Sequence, residues 1–158
     1  MRLLLAIILI SATCCSCEEQ FGNYPDTIPK NTLDNSIQMF SGNILEQNSE
    51  VIEGIEVWKV RIENEFGATV SFYWQKNYNI LYLIIGEHGP FDYELKPPLD
   101  IIVFSTAKFL AFESYSAEPL VTWKLIRDKS FNSAWVYQFF LKDGDTPVSV
   151  KASSGDIL

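Results

Sequence analysis

From residue 57 onward, apolar and polar side chains alternate with a period of two in several separate runs. Trp58, Val60 and Ile62 fall on one side of the first run, and Val70, Phe72 and Trp74 on one side of the second. Trp123 and Leu125, then Trp135, Tyr137 and Phe139, repeat the pattern near the C-terminus. Successive strand side chains point to opposite faces, so this alternation predicts half-buried strands whose core faces are those residues. Two stretches have a different period. Leu33, Ile37 and Phe40 stand at i, i+4 and i+7 and end at Ser41-Gly42-Asn43, which predicts a helix closed by a glycine cap. Ser105 is a good N-cap for a second helix from Thr106 to about residue 115, with Ala107, Leu110 and Ala111 facing inward. Ile101-Ile102-Val103, just before it, reads as a strand.

Laid on itself, the chain repeats. Trp58-Lys59 and Trp123-Lys124 are 65 residues apart, and Gly89 and Gly155 are 66 apart. The extra residue fits hairpins of different length at 75–79 and 141–145, the second carrying an Asp-Gly turn signal at Asp143-Gly144. An offset of 65 matches Val70, Phe72 and Trp74 to Trp135, Tyr137 and Phe139, whereas 66 would put polar residues on a core face. Leu95-Lys96-Pro97-Pro98 marks the boundary. The expected fold is therefore α+β, with two repeats at 31–95 and 99–158. Each is one helix packed on an antiparallel sheet of three or four strands, and the two sheets are free to join.

This order, with the closing Ser153-Ser154-Gly155-Asp156-Ile157-Leu158 and the helix opening Phe104-Ser105-Thr106-Ala107-Lys108, resembles the PepSY family, and tandem PepSY-like domains in particular. Paired units in one secreted chain also resemble the β-lactamase-inhibitor-protein architecture. The first repeat departs from the pattern, with Gly86-Glu87-His88-Gly89 where the second has Ala152-Ser153-Ser154-Gly155. The resemblance implies a secreted or membrane-anchored, non-catalytic module that restrains peptidases or other extracytoplasmic enzymes. It brings no active-site residue with it.

The N-terminus is an address. Met1-Arg2 precedes eight apolar residues, Leu3 to Ile10, and then Ser11-Ala12-Thr13. Eight residues are too few to cross a bilayer, which takes about 20. All three cysteines, Cys14, Cys15 and Cys17, fall where this signal ends, so no intrachain disulfide is available to the folded domain. A cysteine at that place resembles the lipobox of bacterial lipoproteins. Cys17, after Ser16 and before Glu18-Glu19, is the expected lipidation site, with Cys14 and Cys15 as competitors and an ordinary cleaved signal as the plainer alternative. Residues 1–17 are then the lipoprotein signal and 18–30 a tether. The expected location is the outer membrane or cell surface.

Charge narrows the partners. Twelve Lys and Arg stand against 20 Asp and Glu, a net charge of −8 that becomes −9 if Arg2 leaves with the signal. A chain this acidic lacks the cationic face that nucleic acid requires. His88 is the one histidine, and no Gly-x-Ser-x-Gly elbow or phosphate-cradling glycine loop occurs. The paired carboxylates Asp143/Asp145 and Glu63/Glu65 fall on a turn and a loop. No catalytic residue, metal or cofactor is expected. The excess lies in aromatics: Tyr73 and Phe140 on the faces opposite the core, and Tyr78 in a hairpin tip, form the candidate partner-binding set. Alanine at Tyr73 or Phe140 is expected to weaken binding and spare stability, and at Trp74 or Trp135 the reverse. The function expected is a non-catalytic envelope lipoprotein that binds an extracytoplasmic protein, such as a peptidase, and inhibits or modulates it. The alternative is a carbohydrate-binding or enzymatic surface lipoprotein using an aromatic sheet face.

Overall fold

In the computed structural model the described residues are 27–97, 99–114, 119–142 and 146–158. They form α1 (Lys30–Met39), β1 (Asn43–Ile52), β2 (Ile55–Glu63), β3 (Thr69–Gln75), β4 (Ile80–His88), α2 (Phe104–Ser114), β5 (Leu120–Asp128), a single 3-10 turn (Lys129–Phe131), β6 (Ala134–Leu141) and β7 (Val148–Lys151).

The register follows from the alternation. Trp58 pairs with Trp74, Val60 with Phe72 and Ile62 with Val70. Trp123 pairs with Phe139 and Leu125 with Tyr137. Each pair puts two large apolar side chains side by side on one face, where cross-strand contact stabilises the sheet. Val60, Ile62, Val70, Phe72, Trp123, Leu125, Tyr137 and Phe139 are all fully buried there.

The two-repeat expectation is corrected by the topology. All seven strands form one antiparallel sheet in the order β1-β2-β3-β4-β5-β6-β7, with two short helices, rather than two tandem helix-on-sheet units. The join is β4 against β5, where Leu83, Ile84, Ile85 and Gly86 pair with Ile126, Leu125, Lys124 and Trp123. One apolar core holds side chains from both halves. Residues 91–97 and 99–102 carry no helix or strand and include Tyr93 and Leu95, which pack into that core with Phe104. Tyr93 stacks on Phe104 at 5.2 Å between centroids, and Phe104 meets Trp123 at 4.4 Å. This ring cluster packs side chains of both halves together against the continuous sheet.

The helices also differ in detail. The buried side of α1 is Thr32, Ser36 and Met39, while Ile37 stays 37% exposed. Thr32 and Ser36 are satisfied there: Trp74 Nε1 donates to Ser36 Oγ at 3.0 Å, and Ser36 Oγ donates to the Thr32 carbonyl at 2.8 Å. α2 starts at Phe104, so Ser105 lies inside it and donates its hydroxyl to Glu94 at 2.7 Å instead of capping. Ile101, Ile102 and Val103 form no strand, because Ile102 N–H bonds to the carbonyl of Ala152, beyond the end of β7.

Candidate functional site

The face of the sheet that carries Lys59 and Tyr73 is the one the core leaves. The pairing lines its residues up in rows: Lys59, Tyr73, Leu83, Ile126, Val136 and Lys151 in one, and Arg61, Ser71, Ile85, Lys124, Gln138 and Ser149 in the next. Tyr73 stands on this face as alternation predicts, yet it is only 6% exposed. The reason is the β1–β2 hairpin, which runs out to the pair Ile52/Ile55 and brings Ile52 and Ile55 into a second small cluster with Val57, Tyr73 and Leu83. Its tip reaches β4, where the Tyr82 hydroxyl donates to Glu53 at 3.5 Å. Burial raises the Tyr73 pKa above its ordinary value, partly offset by Lys59. Lys59 itself is pulled down by burial but ends raised, because Glu50 and Glu46 hold its ammonium at 3.2 and 3.3 Å.

Phe140 is half-buried on the same face, its ring under Lys124 Nζ at 5.2 Å. It lies three strands across from Tyr73 and four residues along β6 from Val136, the residue in Tyr73's row, about 19 Å away at ordinary strand spacing and rise. Tyr78, in the β3–β4 turn, is 72% exposed. The three expected residues are thus spread over two parts of one face and a hairpin tip. A sugar platform needs an open ring, and Tyr73 does not offer one.

The polar groups of this face are engaged with one another. Glu87 accepts from Ser71 Oγ at 2.6 Å and sits 2.7 Å from Arg61 Nε, and His88 Nδ1 lies 3.2 Å from Thr69 Oγ1. Ser71 is fully buried, so its hydroxyl anchors Glu87 and is closed to a substrate. Among the described residues no three His, Cys, Asp or Glu side chains gather as metal ligands. Asp143 and Asp145 lie outside the described residues, as do Cys14, Cys15 and Cys17.

A different surface, which strand alternation does not mark, carries an apolar cleft. A cleft of about 640 Å³ runs between α2, the segment at 91–92 and the start of β5, lined by Phe91, Phe109, Phe112, Pro119 and Leu120 with Asp92, Ser105 and Lys108. Phe109 is 59% exposed at its mouth. Lys108 fixes the wall: its ammonium donates to the Phe91 carbonyl and to Asp92 Oδ1, each at 2.8 Å. That hydrogen bond and charge hold the Asp92 carboxyl below its usual range. The signal was present, since turning Ala107 and Ala111 inward leaves Phe109 pointing out. The partner wall at 91–92 comes from a segment without periodicity. A second cleft, about 680 Å³ near the end of α1, is lined by Met39, Phe40, Phe66 and Tyr93 together with polar groups such as Ser41, Asn64 and Lys96, so its lining is more mixed than that of the α2 cleft.

No family model matches the chain, and no curated protein matches it, so the PepSY resemblance gains no support from either comparison. Among solved structures, the chain is similar to a proposed lipoprotein from Clostridium difficile 630, at 15% identity and a TM-score of 0.36, covering 81% of this chain and 86% of that one. That TM-score is too low to carry fold or function from one chain to the other. No helix among the described residues is long and apolar enough to cross a membrane.

Proposed function

We propose that this chain is a non-catalytic envelope lipoprotein, held to the membrane through Cys17, that binds an extracytoplasmic protein and modulates it through the cleft beside α2. The observation that carries the reading is Phe109, a large ring 59% exposed beside an apolar cleft whose cationic group, Lys108, is already neutralised by Asp92. Aromatic side chains beside a pocket supply much of the energy where protein surfaces meet, and an exposed ring of this kind costs solubility without a partner. The signal segment and Cys17 support this reading, in which the partner is an envelope or secreted protein. Modulation of a peptidase is the finer form of this reading and comes from the PepSY resemblance. The test is a photoreactive phenylalanine analogue at position 109 of the lipidated protein in its native envelope. A discrete protein adduct supports the reading; adducts to lipid or glycan only, or none, contradict it.

A further inference from the structure

The sheet has two edges, and the chain treats them differently. At the β7 edge the C-terminal residues add a bridge: Val150 pairs with Ile157, Leu158 N–H bonds to the Ser149 carbonyl at 2.9 Å, and Lys151 N–H to the Asp156 carbonyl at 2.8 Å. At the other edge β1, ten residues long, has no partner beyond β2 among the described residues. An unpaired edge is a template for another strand, and proteins usually blunt it.

The hairpin geometry says which groups are on offer. Ile52 and Ile55 close the two-residue turn Glu53-Gly54, whose φ angles of 51° and 81° are those of a type I′ turn. In the alternating antiparallel ladder the even-numbered residues then bond to β2, and Gln47, Ser49 and Val51 direct their backbone groups outward. Pairing is unbroken from Glu46 to Ile52, the single irregularity lying between Ile44 and Glu46. Leu45 and Val51 are 49% and 67% exposed along it. Glu46 and Glu50 do not guard the edge, because both carboxylates turn across the sheet to Lys59.

We infer that the β1 edge is a second interaction surface, separate from the α2 cleft, which accepts an extended basic segment of a partner protein as an eighth strand. Charge selects the occupant. Residues 43–56 carry Glu46, Glu50, Glu53 and Glu56 and no Lys, Arg or His. One Lys59 is shared by Glu46 and Glu50, Lys76 pairs with Glu56, and Arg61 opposite Glu46 is paired with Glu87. Arg127, Asp128 and Lys129 line a cleft with Glu53, so the hairpin itself keeps more acidic than basic groups. Backbone pairing supplies affinity in strand addition, and cationic side chains on the incoming strand match this field. A second copy of the chain is disfavoured, since it would join two chains of net charge −8 along a strand that has no cationic residue of its own.

The probe is a labelled nonapeptide alternating Lys with Val and Thr, added to the full chain and followed by fluorescence anisotropy and by hydrogen exchange of residues 43–52. Binding should slow exchange in that segment. It should weaken at least about tenfold when Glu replaces Lys in the peptide, or when alternate peptide nitrogens are methylated at unchanged charge. Ser49→Pro, which removes an outward N–H at an edge position that tolerates proline, should weaken it similarly, and Phe109→Ala should not. The methylated peptide keeps the test decisive should Ser49→Pro fail to fold. The inference is overturned by no binding at about 1 mM, by equal binding of the methylated or acidic peptide, or by slow exchange of 43–52 before any peptide is added.

Discussion

Gly86 and Trp123 are cross-strand partners at the β4–β5 join, and the indole of Trp123 occupies the space that a β-carbon on Gly86 would fill. The Trp123 Nε1 in turn donates to the Tyr93 hydroxyl at 2.7 Å. The missing side chain on one strand is therefore what admits the ring that ties both halves to the 91–102 segment. Gly86→Ala should destabilise the protein by about 3 kcal/mol, the upper range for overpacking a filled core. Urea unfolding at unchanged m-value checks it; a loss below about 1 kcal/mol would mean that the seam can open to admit a methyl.

Tyr73 belongs with the stabilising residues. At 6% exposure inside the cluster of Val57 and Leu83, Tyr73→Ala should cost about 3 kcal/mol, not the near-zero cost expected of an open-face tyrosine. Trp74→Ala should cost about 3 to 5 kcal/mol, because its buried ring also holds Ser36. Trp135 is half-buried with Arg127 over its ring at 5.3 Å, so Trp135→Ala should cost clearly less than Trp74→Ala in the same unfolding experiment.

Alkaline stability should fall steeply. Burial pushes the hydroxyls of Tyr93 and Tyr137 far above the ordinary value of 10.0. The folded state thus keeps protons that the unfolded state releases, so the stabilisation is fully present below pH 10 and is lost as pH rises beyond it. Each tyrosine adds about 1.4 kcal/mol per pH unit to that loss. Tyr137→Phe also gives up the hydrogen bond to the Ile102 carbonyl at 3.0 Å, yet it should flatten the decline between pH 10 and 11.5 by one such share. An unchanged slope would show that Tyr137 is not held neutral by the fold.

The strand cores were legible because burial on one face writes itself as alternation: Trp58 and Trp74, like Leu125 and Tyr137, could be assigned to a shared core face from spacing, while their pairing is a matter of register that the structure supplies. β1 was not. Its run Glu46-Gln47-Asn48-Ser49-Glu50 is polar throughout, since apolar packing is confined to the ends of this edge strand, at Ile44 and Ile52, and its middle has no face that must be apolar. The same exposure hid the arching hairpin, and with it the burial of Tyr73. α1 misled in the opposite way, because its inward side uses Thr32 and Ser36, whose hydroxyls find partners, while Ile37 faces out. The repeated Trp-Lys pattern suggested two units. What decided otherwise was a pairing between Gly86 and Trp123, 37 residues apart, which no local period reports. The α2 cleft was half legible, from Phe109 and not from Phe91.

Cys17→Ser should abolish incorporation of labelled fatty acid and move the protein from the membrane fraction to the soluble one. Persistent labelling would place the acylated residue at Cys14 or Cys15.

The most direct test of the binding role is the affinity of Phe109→Ala for the protein captured by the crosslinker at that position. Truncating an exposed anchor ring should cost about 1 to 3 kcal/mol of binding, roughly 5- to 150-fold in Kd, and leave Tm within about 2 °C of the parent. Undiminished affinity, or a loss of binding that tracks a fall in Tm, would contradict the account, because Phe109 would then be a structural side chain and the cleft beside α2 no docking surface.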